Sequence, residues 1–253
     1  MFPRLFKIRD SMATRNTGPT WTHMLGENSY SLHRADWLFI PKWCPDAGTL
    51  ELARSIGDVV DIRAIMPESA IQAMQTLLPR RENSSRQNRY SGIFGLGEFP
   101  LHTDLAHWSR PPRYLMIRCI LGHPDVTTKV ISSSKIVERL GKELTGRALF
   151  LPRRALPLND YCLLPMVFRD GMTRGLRWDS VFVVPANDAA RRVSIAVNQT
   201  LSEKSGEVHE CPLVNPGDTL IIDNWNALHG RSGVPMNARR IVERVYLSEI
   251  HTL

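Results

Sequence analysis

The sequence predicts a mainly β fold with flanking helices, arranged as a double-sheet jelly roll. Short segments rich in β-branched and aromatic residues recur from residue 101 onward. A smaller number of segments show the apolar spacing of helices, and these flank the predicted strands. No linker divides residues 35–253, so we expect a single domain there, preceded by a loosely ordered N-terminal segment over residues 1–34.

The first part of this domain is predicted to open with a strand and a helix. Residues 35–40 (ADWLFI) are typical of a short strand that ends before Pro41. Asp46 as the N-cap and Gly57 as a stop signal predict a helix over residues 46–56.

A second helix is predicted over residues 67–78, where apolar residues recur at helical spacing. Residues 80–89 are polar and show no periodicity, so they predict a loop. We extend this prediction to a lid-like loop near residues 80–97, because long loops in compact domains are often functional. A plain solvated connection is the alternative for the same segment.

The rest of the chain is predicted to be mostly β with two more helices. Five strands are predicted, over residues 113–120, 129–131, 176–184, 218–223 and 241–247. Two helices lie between them, a serine-capped one over residues 134–140 and a second over residues 189–201.

The charge balance favours small anionic partners. The net charge is +7 and the pI is about 9.5, but the arginines are spread along the chain and form no basic tail. We therefore expect a small-molecule substrate and do not expect nucleic acid as a partner. No apolar run approaches the ~20 residues of a membrane span, and the N-terminus lacks a secretory signal. The sequence leaves the oligomeric state open.

The four cysteines predict reduced thiols in a cytoplasmic protein. They lie far apart in the chain, and no CxxC pair occurs. A site built on thiolate ligands is therefore not expected.

The clearest functional motif is the segment FPLHTDL at residues 99–105. On a strand, residues two apart point to the same face, so His102 and Asp104 can address one point. Two histidines and one carboxylate on one face of an iron(II) ion leave positions open for a co-substrate and oxygen. An HxD pair arises often by chance, so the motif needs a second histidine.

That histidine is predicted to be His229, in the segment DTLIIDNWNALHGR at residues 218–231. A hydrophobic strand leads into a polar turn that ends in His-Gly, and Asp223 and Asn224 are predicted to orient this turn. A surface histidine in a turn is the alternative.

Two arginines, Arg240 and Arg244, follow at the start of the last predicted strand. Their spacing allows both side chains to point inward. An arginine near a metal-binding histidine can receive a carboxylate in a two-pronged, charge-assisted pair.

These residues resemble the pattern of the iron(II)/2-oxoglutarate-dependent dioxygenases. The nearest resemblance is to the taurine dioxygenase-like (TauD/TfdA) branch, related to clavaminate synthase and γ-butyrobetaine hydroxylase. It rests on HTDLAHW…PPRYLMIRC at residues 102–119 and DNWNALHGR at residues 223–231. The resemblance covers roughly residues 35–247 and implies a double-stranded β-helix core of the cupin-like, jelly-roll type.

The resemblance also implies the cofactors and their ligands. Iron(II) is expected on His102, Asp104 and His229, with 2-oxoglutarate and O2 as co-substrates. Arg240, eleven residues after the distal histidine, is expected to bind the far carboxylate of 2-oxoglutarate. Thr128 is expected to assist it, with Thr127 as the alternative. The implied reaction couples oxidative decarboxylation of 2-oxoglutarate to oxidation, most often hydroxylation, of a small polar substrate that is amino-acid-like or acidic.

Four residues are candidates for substrate contacts. Glu98 is a candidate partner for an amine, and Arg244 for an acidic group, although a surface position would explain either side chain. Trp108 and Arg177 are candidates for the pocket lining, although residues on strands often serve only the core.

Two other functions remain open at this level. A demethylase of nucleic acid or protein would use the same chemistry but needs a basic surface, for which residues 80–89 are the candidate patch. A catalytically silent jelly-roll binding protein would be favoured by loss of a metal ligand or of Arg240, and the sequence keeps all of them.

Overall fold

The computed structural model describes residues 35–65, 71–82, 89–154, 162–202 and 207–251 of this chain. These residues form a mainly β fold of antiparallel sheets with helices packed on the outside. The predicted N-terminal segment over residues 1–34 lies outside the described residues, as does the centre of the predicted loop. None of the helices in the described ranges combines the length and apolar character that crossing a bilayer demands.

The structure contains fifteen strands and six helices in the described ranges. The strands are β1 Trp37–Ile40, β2 Gly57–Val59, β3 Met74–Leu77, β4 Phe99–His102, β5 Tyr114–Leu121, β6 Thr127–Ser132, β7 Leu149–Pro152, β8 Leu164–Pro165, β9 Val167–Asp170, β10 Thr173–Leu176, β11 Val183–Pro185, β12 His209–Pro212, β13 Thr219–Asp223, β14 Ala227–Arg231 and β15 Ile241–Ile250. The helices are α1 Thr49–Ile56, α2 Ile62–Ile65, α3 Tyr90–Phe94, α4 Ser133–Leu140, α5 Lys142–Arg147 and α6 Asp188–Ser202.

The larger sheet has six strands in the order β1-β13-β5-β15-β2, with β3 also paired to β15. The smaller sheet has four strands in the order β12-β6-β14-β4. One apolar cluster joins the two sheets: it combines Leu115 and Ile222 of the larger sheet with Val130 and Ala227 of the smaller one. The predicted strands around β1, β5, β6, β13 and β15 are confirmed.

Helices cover the outer faces of the two sheets. On the larger sheet, Leu52 and Ile56 of α1 pack against Met116 and Ile221. On the smaller sheet, α4 and α6 form a cluster with β7 that includes Phe150. The predicted helices over residues 134–140 and 189–201 are confirmed as α4 and α6, and the Ser132 side chain accepts from the Ser134 N–H at the start of α4. The site-bearing strands are therefore held between two layers of packing.

The helix predicted over residues 67–78 is wrong in the described part of that range, residues 71–78. In the described part of that range the chain forms strand β3, which pairs antiparallel with residues 242–245 of β15. Apolar residues at a spacing of three fit either a helix or a half-buried edge strand over so short a length. The open edge of β15 decides between them, because pairing there satisfies the backbone hydrogen bonds of both strands.

The prediction of Asp46 as a helix N-cap is also wrong. Helix α1 begins at Thr49, with Gly48 at the N-cap position and no side-chain cap. The segment before it is fixed by Arg118, a fully buried residue of β5 whose guanidinium donates to the carbonyls of Trp43, Cys44 and Ala47. Because these carbonyls accept hydrogen bonds from Arg118, they do not accept the backbone hydrogen bonds of a helix, and α1 begins after them.

The strand predicted over residues 176–184 is divided. Strand β10 ends at Leu176 and β11 begins at Val183, with an irregular segment between them. Arg177 and Asp179 lie in that segment, and both side chains bind backbone groups there or in the neighbouring 105–111 loop. These polar contacts interrupt the ladder.

In the predicted loop near residues 80–97, residues 90–94 form helix α3 instead.

Candidate metal centre

Three side chains with metal-ligating atoms converge on one point inside the fold. His102 is the last residue of β4, and it lies opposite His229 of β14 in the antiparallel ladder. The Asp104 Oδ1 atom is 3.3 Å from His102 Nε2 and 3.8 Å from His229 Nε2. All three residues are buried. The ligand atoms lie within 4.8 Å of one another, which places them around a volume that suits a single ion.

The position of His229 differs from the predicted one. It lies inside strand β14 rather than in the turn that precedes this strand. Gly230 next to it allows the two strands to approach, since a Cβ there would lie 2.6 Å from the Phe99 carbonyl oxygen. The ladder register also shifts at this point, as it does at a β-bulge. The His-Gly pair therefore brings β14 and β4 close enough for His229 and His102 to bind the same metal ion.

Asp104 lies just beyond the end of β4, so it is not on the strand that the spacing argument assumed. Asn224 fixes it instead: the Asn224 Oδ1 accepts from the Asp104 N–H at 2.7 Å, and its Nδ2 donates to the Asp104 carbonyl at 3.0 Å. Asp223 accepts from the Trp225 N–H and the Asn226 amide. These contacts confirm that Asp223 orients the turn, and they show that Asn224 holds the carboxylate's backbone as well.

The two oxygens of Asp104 have different surroundings. Oδ2 accepts from Arg244 Nη1 at 2.8 Å and from the Tyr246 hydroxyl at 2.9 Å. Burial by itself would raise the pKa of Asp104, but Arg244 and the two histidines outweigh burial and hold this pKa well below its usual value. Arg244 and Tyr246 thus fix the orientation of the ionised carboxylate through Oδ2, while Oδ1 faces the two imidazoles.

Both histidines direct Nε2 toward the Asp104 carboxylate. Burial would lower the pKa of His102, but the neighbouring Asp104 carboxylate outweighs burial and raises this pKa, so His102 releases a proton when a metal binds. The His102 Nδ1 lies 2.7 Å from the Pro100 carbonyl oxygen, and donation to that oxygen leaves the Nε2 lone pair available. Burial, followed by the charge of His102, lowers the pKa of His229 to about 3. Two imidazole nitrogens and one carboxylate oxygen with open positions are the donor set of non-haem iron(II) sites. The residues therefore fit the metal that the motif predicts.

A second charged feature lies directly before β15 of the larger sheet. Arg240 is buried with 6% exposure, and among the described residues it forms no ion pair with a carboxylate. Its Nε atom is buried without a hydrogen-bond partner. Arg231 lies nearby: burial, and then the charge of Arg240, lower the pKa of Arg231 to about 10. Arg231 is half-buried and donates to the carbonyls of Gly95 and Gly97, whereas Arg240 is a buried cation without a carboxylate partner in the described ranges, which favours binding of an anion there.

Thr128 lies on the same face of the smaller sheet as Arg231 and His229. It is 3% exposed and pairs with Arg231 across the β6–β14 ladder, two positions from the pair formed by Val130 and His229. Residues directly opposite in a ladder project to the same side of a sheet. Thr127 projects to the other side, where its hydroxyl lies 3.3 Å from a carboxylate oxygen of Glu210.

The candidate substrate residues are placed differently from one another. Arg244 holds Asp104 and also donates to Gln75 at 2.7 Å. Arg177 is buried, and its guanidinium donates to the carbonyls of Pro165, Ala106, Trp108 and Ser109, so it supports the loop after Asp104. These four bonds favour a structural role.

Glu98 and Trp108, unlike Arg244, have partners other than the three predicted metal ligands. The Glu98 carboxylate is 58% exposed and pairs with Lys129 at 2.7 Å. Trp108 is buried in the apolar cluster between the two sheets. Their roles toward a substrate stay predictions.

Several residues at this site were not predicted. Tyr246 lies two positions after Arg244 on β15, so strand alternation alone would have placed both side chains on one face. The ring of Tyr90 stacks on His102, with 4.1 Å between centroids, and Asp179 lies buried near the same histidine. Helix α3 and an irregular segment carry these two residues, and no periodicity marks either one.

Comparison with known proteins supports the fold of this site. No protein-family profile matches the sequence, but solved structures match its fold. An asparagine oxygenase in complex with Fe(II), 3-hydroxyasparagine and succinate matches with a TM-score of 0.61 at 17% identity, over 79% of this chain and 63% of that one. The chain has the fold of these oxygenases. The resemblance predicted from the motifs is confirmed at that level.

Two other solved structures agree. PvcB from Pseudomonas aeruginosa, an Fe, alpha-ketoglutarate dependent oxygenase from an isonitrile synthetic pathway, matches with a TM-score of 0.61 at 19% identity, over 85% of this chain and 77% of that one. The non-heme iron oxygenase OrfP, in complex with Fe, succinate and (3S)-hydroxy-L-Arg, matches with a TM-score of 0.59 at 18% identity, over 79% of this chain and 66% of that one. This chain therefore spans just under two thirds of the length of the asparagine oxygenase and of OrfP.

Proposed function

We propose that this protein is an iron(II)/2-oxoglutarate-dependent oxygenase that oxidises, most simply by hydroxylation, a small amino-acid-like or acidic substrate. The observation that carries the proposal is the convergence of His102 Nε2, His229 Nε2 and Asp104 Oδ1 on one point. The buried Arg240, which has no carboxylate partner in the described ranges, supports it. The matching solved structures support it, since they hold iron together with succinate or alpha-ketoglutaric acid.

The three ligand atoms would hold iron(II), which supplies the activation of oxygen and the attachment point for the co-substrate. The protein's own contribution is positioning. Arg244 and Tyr246 fix the orientation of the Asp104 carboxylate, and the Pro100 carbonyl fixes the tautomer of His102. The ring of Tyr90 covers one face of the His102 imidazole and limits access of water to it.

Arg240 and Thr128 would bind the far carboxylate of 2-oxoglutarate. A guanidinium recognises a carboxylate with two parallel hydrogen bonds, and burial strengthens this pair because water does not compete. Thr128 is favoured over Thr127 for this role. The Thr128 side chain is buried on the inner face of the sheet, while the Thr127 hydroxyl is directed toward Glu210.

The finer structural predictions belong to the same proposal. The two antiparallel sheets with a shared apolar interior support a double-stranded β-helix of the jelly-roll type, forming a single domain over residues 35–253. The segment near residues 80–97, which includes Tyr90, would act as a lid. A cytoplasmic location agrees with the free thiols of Cys119 and Cys211, because burial raises the pKa of each to about 11 and keeps them protonated.

The alternative functions have less support. All three ligand residues and Arg240 are retained and buried, which weighs against a silent binding protein. The basic patch that a demethylase would need falls mostly outside the described residues.

Succinate formation tests the proposal. Protein supplied with iron(II), 2-oxoglutarate and oxygen should release succinate, slowly without a substrate and faster with the right one. The same protein with zinc in place of iron, or with Asp104→Ala, should release none. Equal succinate from wild type and Asp104→Ala would show that the three residues do not form the reactive centre.

A further inference from the structure

Three polar side chains lie beside the metal ligands without belonging to them: Tyr90, His107 and Asp179. The Tyr90 hydroxyl and the His107 Nδ1 atom are buried and have no hydrogen-bond partner within the described ranges. Asp179 is 1% exposed. Buried polar atoms in folded proteins are nearly always hydrogen-bonded, so a group of this kind at one place requires an explanation.

Asp179 is a buried carboxylate without a cation. Its Oδ1 accepts from the N–H groups of Val181 at 2.7 Å and Phe182 at 2.9 Å. No lysine or arginine of the described residues lies within ion-pair distance of it, whereas the neighbouring Asp104 is paired with Arg244. Burial raises the pKa of Asp179 above its usual value. A buried carboxylate without a lysine or arginine partner is costly to a fold, so its presence points to a cationic partner from outside the chain.

The hydroxyl of Tyr90 belongs to the same group. Burial, followed by the nearby Asp179 carboxylate, raises the pKa of Tyr90 well above its usual value. The two groups are close, and within the described ranges the Tyr90 hydroxyl has no other hydrogen-bond partner. Both are therefore available to a third group that would contact the carboxylate and the hydroxyl together.

This polar group is in direct contact with the metal centre. The Tyr90 ring stacks on His102 at 4.1 Å and meets Phe182 at 5.5 Å, and Phe182 in turn meets the His107 ring at 5.5 Å. The residue before Asp179 is fixed to the loop between the metal ligands, because the Trp178 carbonyl accepts from the Thr103 N–H at 2.8 Å. A ligand bound by Asp179 would therefore lie against the metal-binding histidine.

We propose that Asp179 and the Tyr90 hydroxyl form a subsite that binds an ammonium or guanidinium group of the substrate. The proposal rests on the proposed function and narrows its substrate to compounds that carry such a cation. A carboxylate and a hydroxyl oxygen both accept hydrogen bonds from a cation, and charge-assisted bonds of this kind are the stronger ones. The aromatic rings of Tyr90 and Phe182 offer faces that attract a cation as well.

The site as a whole then has two unpaired charges of opposite sign. Arg240 meets the anion of the co-substrate, and Asp179 meets the cation of the substrate. Each buried charge gains its partner only when the corresponding ligand binds.

The test uses the weak visible charge-transfer band of the complex between iron(II), 2-oxoglutarate and the protein, recorded without oxygen. The band itself reports the metal and co-substrate site, and its shift on adding a further compound reports substrate binding. The cationic probes are L-arginine and L-lysine. L-Arginine is compared with L-citrulline, which lacks the guanidinium, and with Nα-acetyl-L-arginine, which lacks the α-ammonium. L-Lysine is compared with Nε-acetyl-L-lysine, which lacks the side-chain ammonium.

We expect at least one cationic probe to shift the band in wild type. In Asp179→Asn, which keeps the Oδ1 acceptor for Val181 and Phe182, that probe should bind about tenfold more weakly or worse. The counterpart lacking the recognised cation should bind wild type and Asp179→Asn alike. Tyr90→Phe should weaken the cationic probe by a smaller factor. Asp188→Asn, at an exposed carboxylate of α6, should behave as wild type.

A second measurement separates a binding role from a structural one. The melting temperature of Asp179→Asn without ligands should equal or exceed that of wild type, because the substitution removes an uncompensated buried charge. A lower melting temperature together with unchanged probe affinity would overturn the subsite and assign Asp179 a structural role.

The remaining outcomes are also distinguishable. A band that forms normally but that no cationic probe shifts, or that shifts equally in wild type and Asp179→Asn, overturns the subsite and leaves the proposed function standing. Absence of the band in wild type overturns the proposed function, and the subsite with it.

Discussion

Asp104 and Arg240 are both buried charges of the candidate site, but they differ in how the fold treats them. Asp104 receives an arginine, a tyrosine hydroxyl and a backbone-supporting asparagine from the protein itself. Arg240 receives no carboxylate from the described part of the chain. A charge that the fold neutralises is being held in place, whereas a charge left unpaired awaits an external ligand. This difference supports the proposal that Asp104 belongs to the permanent metal site and that Arg240 binds the exchangeable co-substrate.

The largest expected effect comes from removing the paired charge. Asp104→Asn should weaken iron(II) binding by more than about 100-fold, since even changes to groups that only support a ligand cost up to this factor. Anaerobic calorimetric titration with iron(II) measures it, with Asp188→Asn as the matched surface control. Unchanged iron affinity would exclude Asp104 as a ligand.

Removing the unpaired charge should have a smaller and more selective effect. Arg240→Ala should weaken 2-oxoglutarate binding at least about 30-fold, because losing one partner of a buried charge pair costs about 2 kcal/mol or more. Iron(II) binding should stay within about twofold of wild type by the same titration. Arg239→Ala, at the exposed neighbour, provides the control. If Arg240→Ala lost iron and retained 2-oxoglutarate, the two roles would be reversed.

Weakening the support of Asp104 should have a still smaller effect. Tyr246→Phe removes one of the two hydrogen bonds to Oδ2 and leaves Arg244 in place. Iron(II) affinity should fall about tenfold, as it does when a ligand's hydrogen-bond partner is removed. The co-substrate affinity of the iron-loaded protein should not change. A loss of 2-oxoglutarate affinity instead would place Tyr246 at the co-substrate.

The smallest expected effect is a pH dependence from His107. Burial lowers the pKa of His107 to about 4, below the value of about 6.5 expected for an unfolded chain. Between these values the unfolded state binds more protons, so the free energy of unfolding of the metal-free protein should fall as the pH drops from about 6.5 toward 4. The contribution of His107 is on the order of 1 kcal/mol, and His107→Phe should reduce this dependence. Urea unfolding at pH 7 and pH 5 measures it, and an identical pH dependence in both proteins would contradict the assignment.

The sequence was informative where chemistry and chain order coincide. His102, Asp104, His229 and Arg240 lie at spacings that the iron motif requires, and the structure brings the three ligands together as predicted. The reason for their positions was less predictable. Spacing on a strand was expected to aim Asp104, but Asn224, more than a hundred residues away in the chain, holds it.

The parts that sequence reasoning missed depend on long-range packing. Residues 74–77 have a spacing compatible with a helix and became a strand because β15 offered an open edge. Tyr90 and Asp179 carry no periodic signal, and only the folded chain shows that they meet beside His102. Arg177 was a candidate for the pocket lining, yet four backbone carbonyls account for its guanidinium.

The most direct measurement is the visible absorption spectrum of the wild-type protein with iron(II) and 2-oxoglutarate in the absence of oxygen. The paired Asp104 and the unpaired Arg240 together predict a weak charge-transfer band that needs both additions and saturates at one iron and one 2-oxoglutarate per chain. Failure of the band to form, with iron(II) and 2-oxoglutarate both in excess over a folded protein, would contradict the assignment of this site.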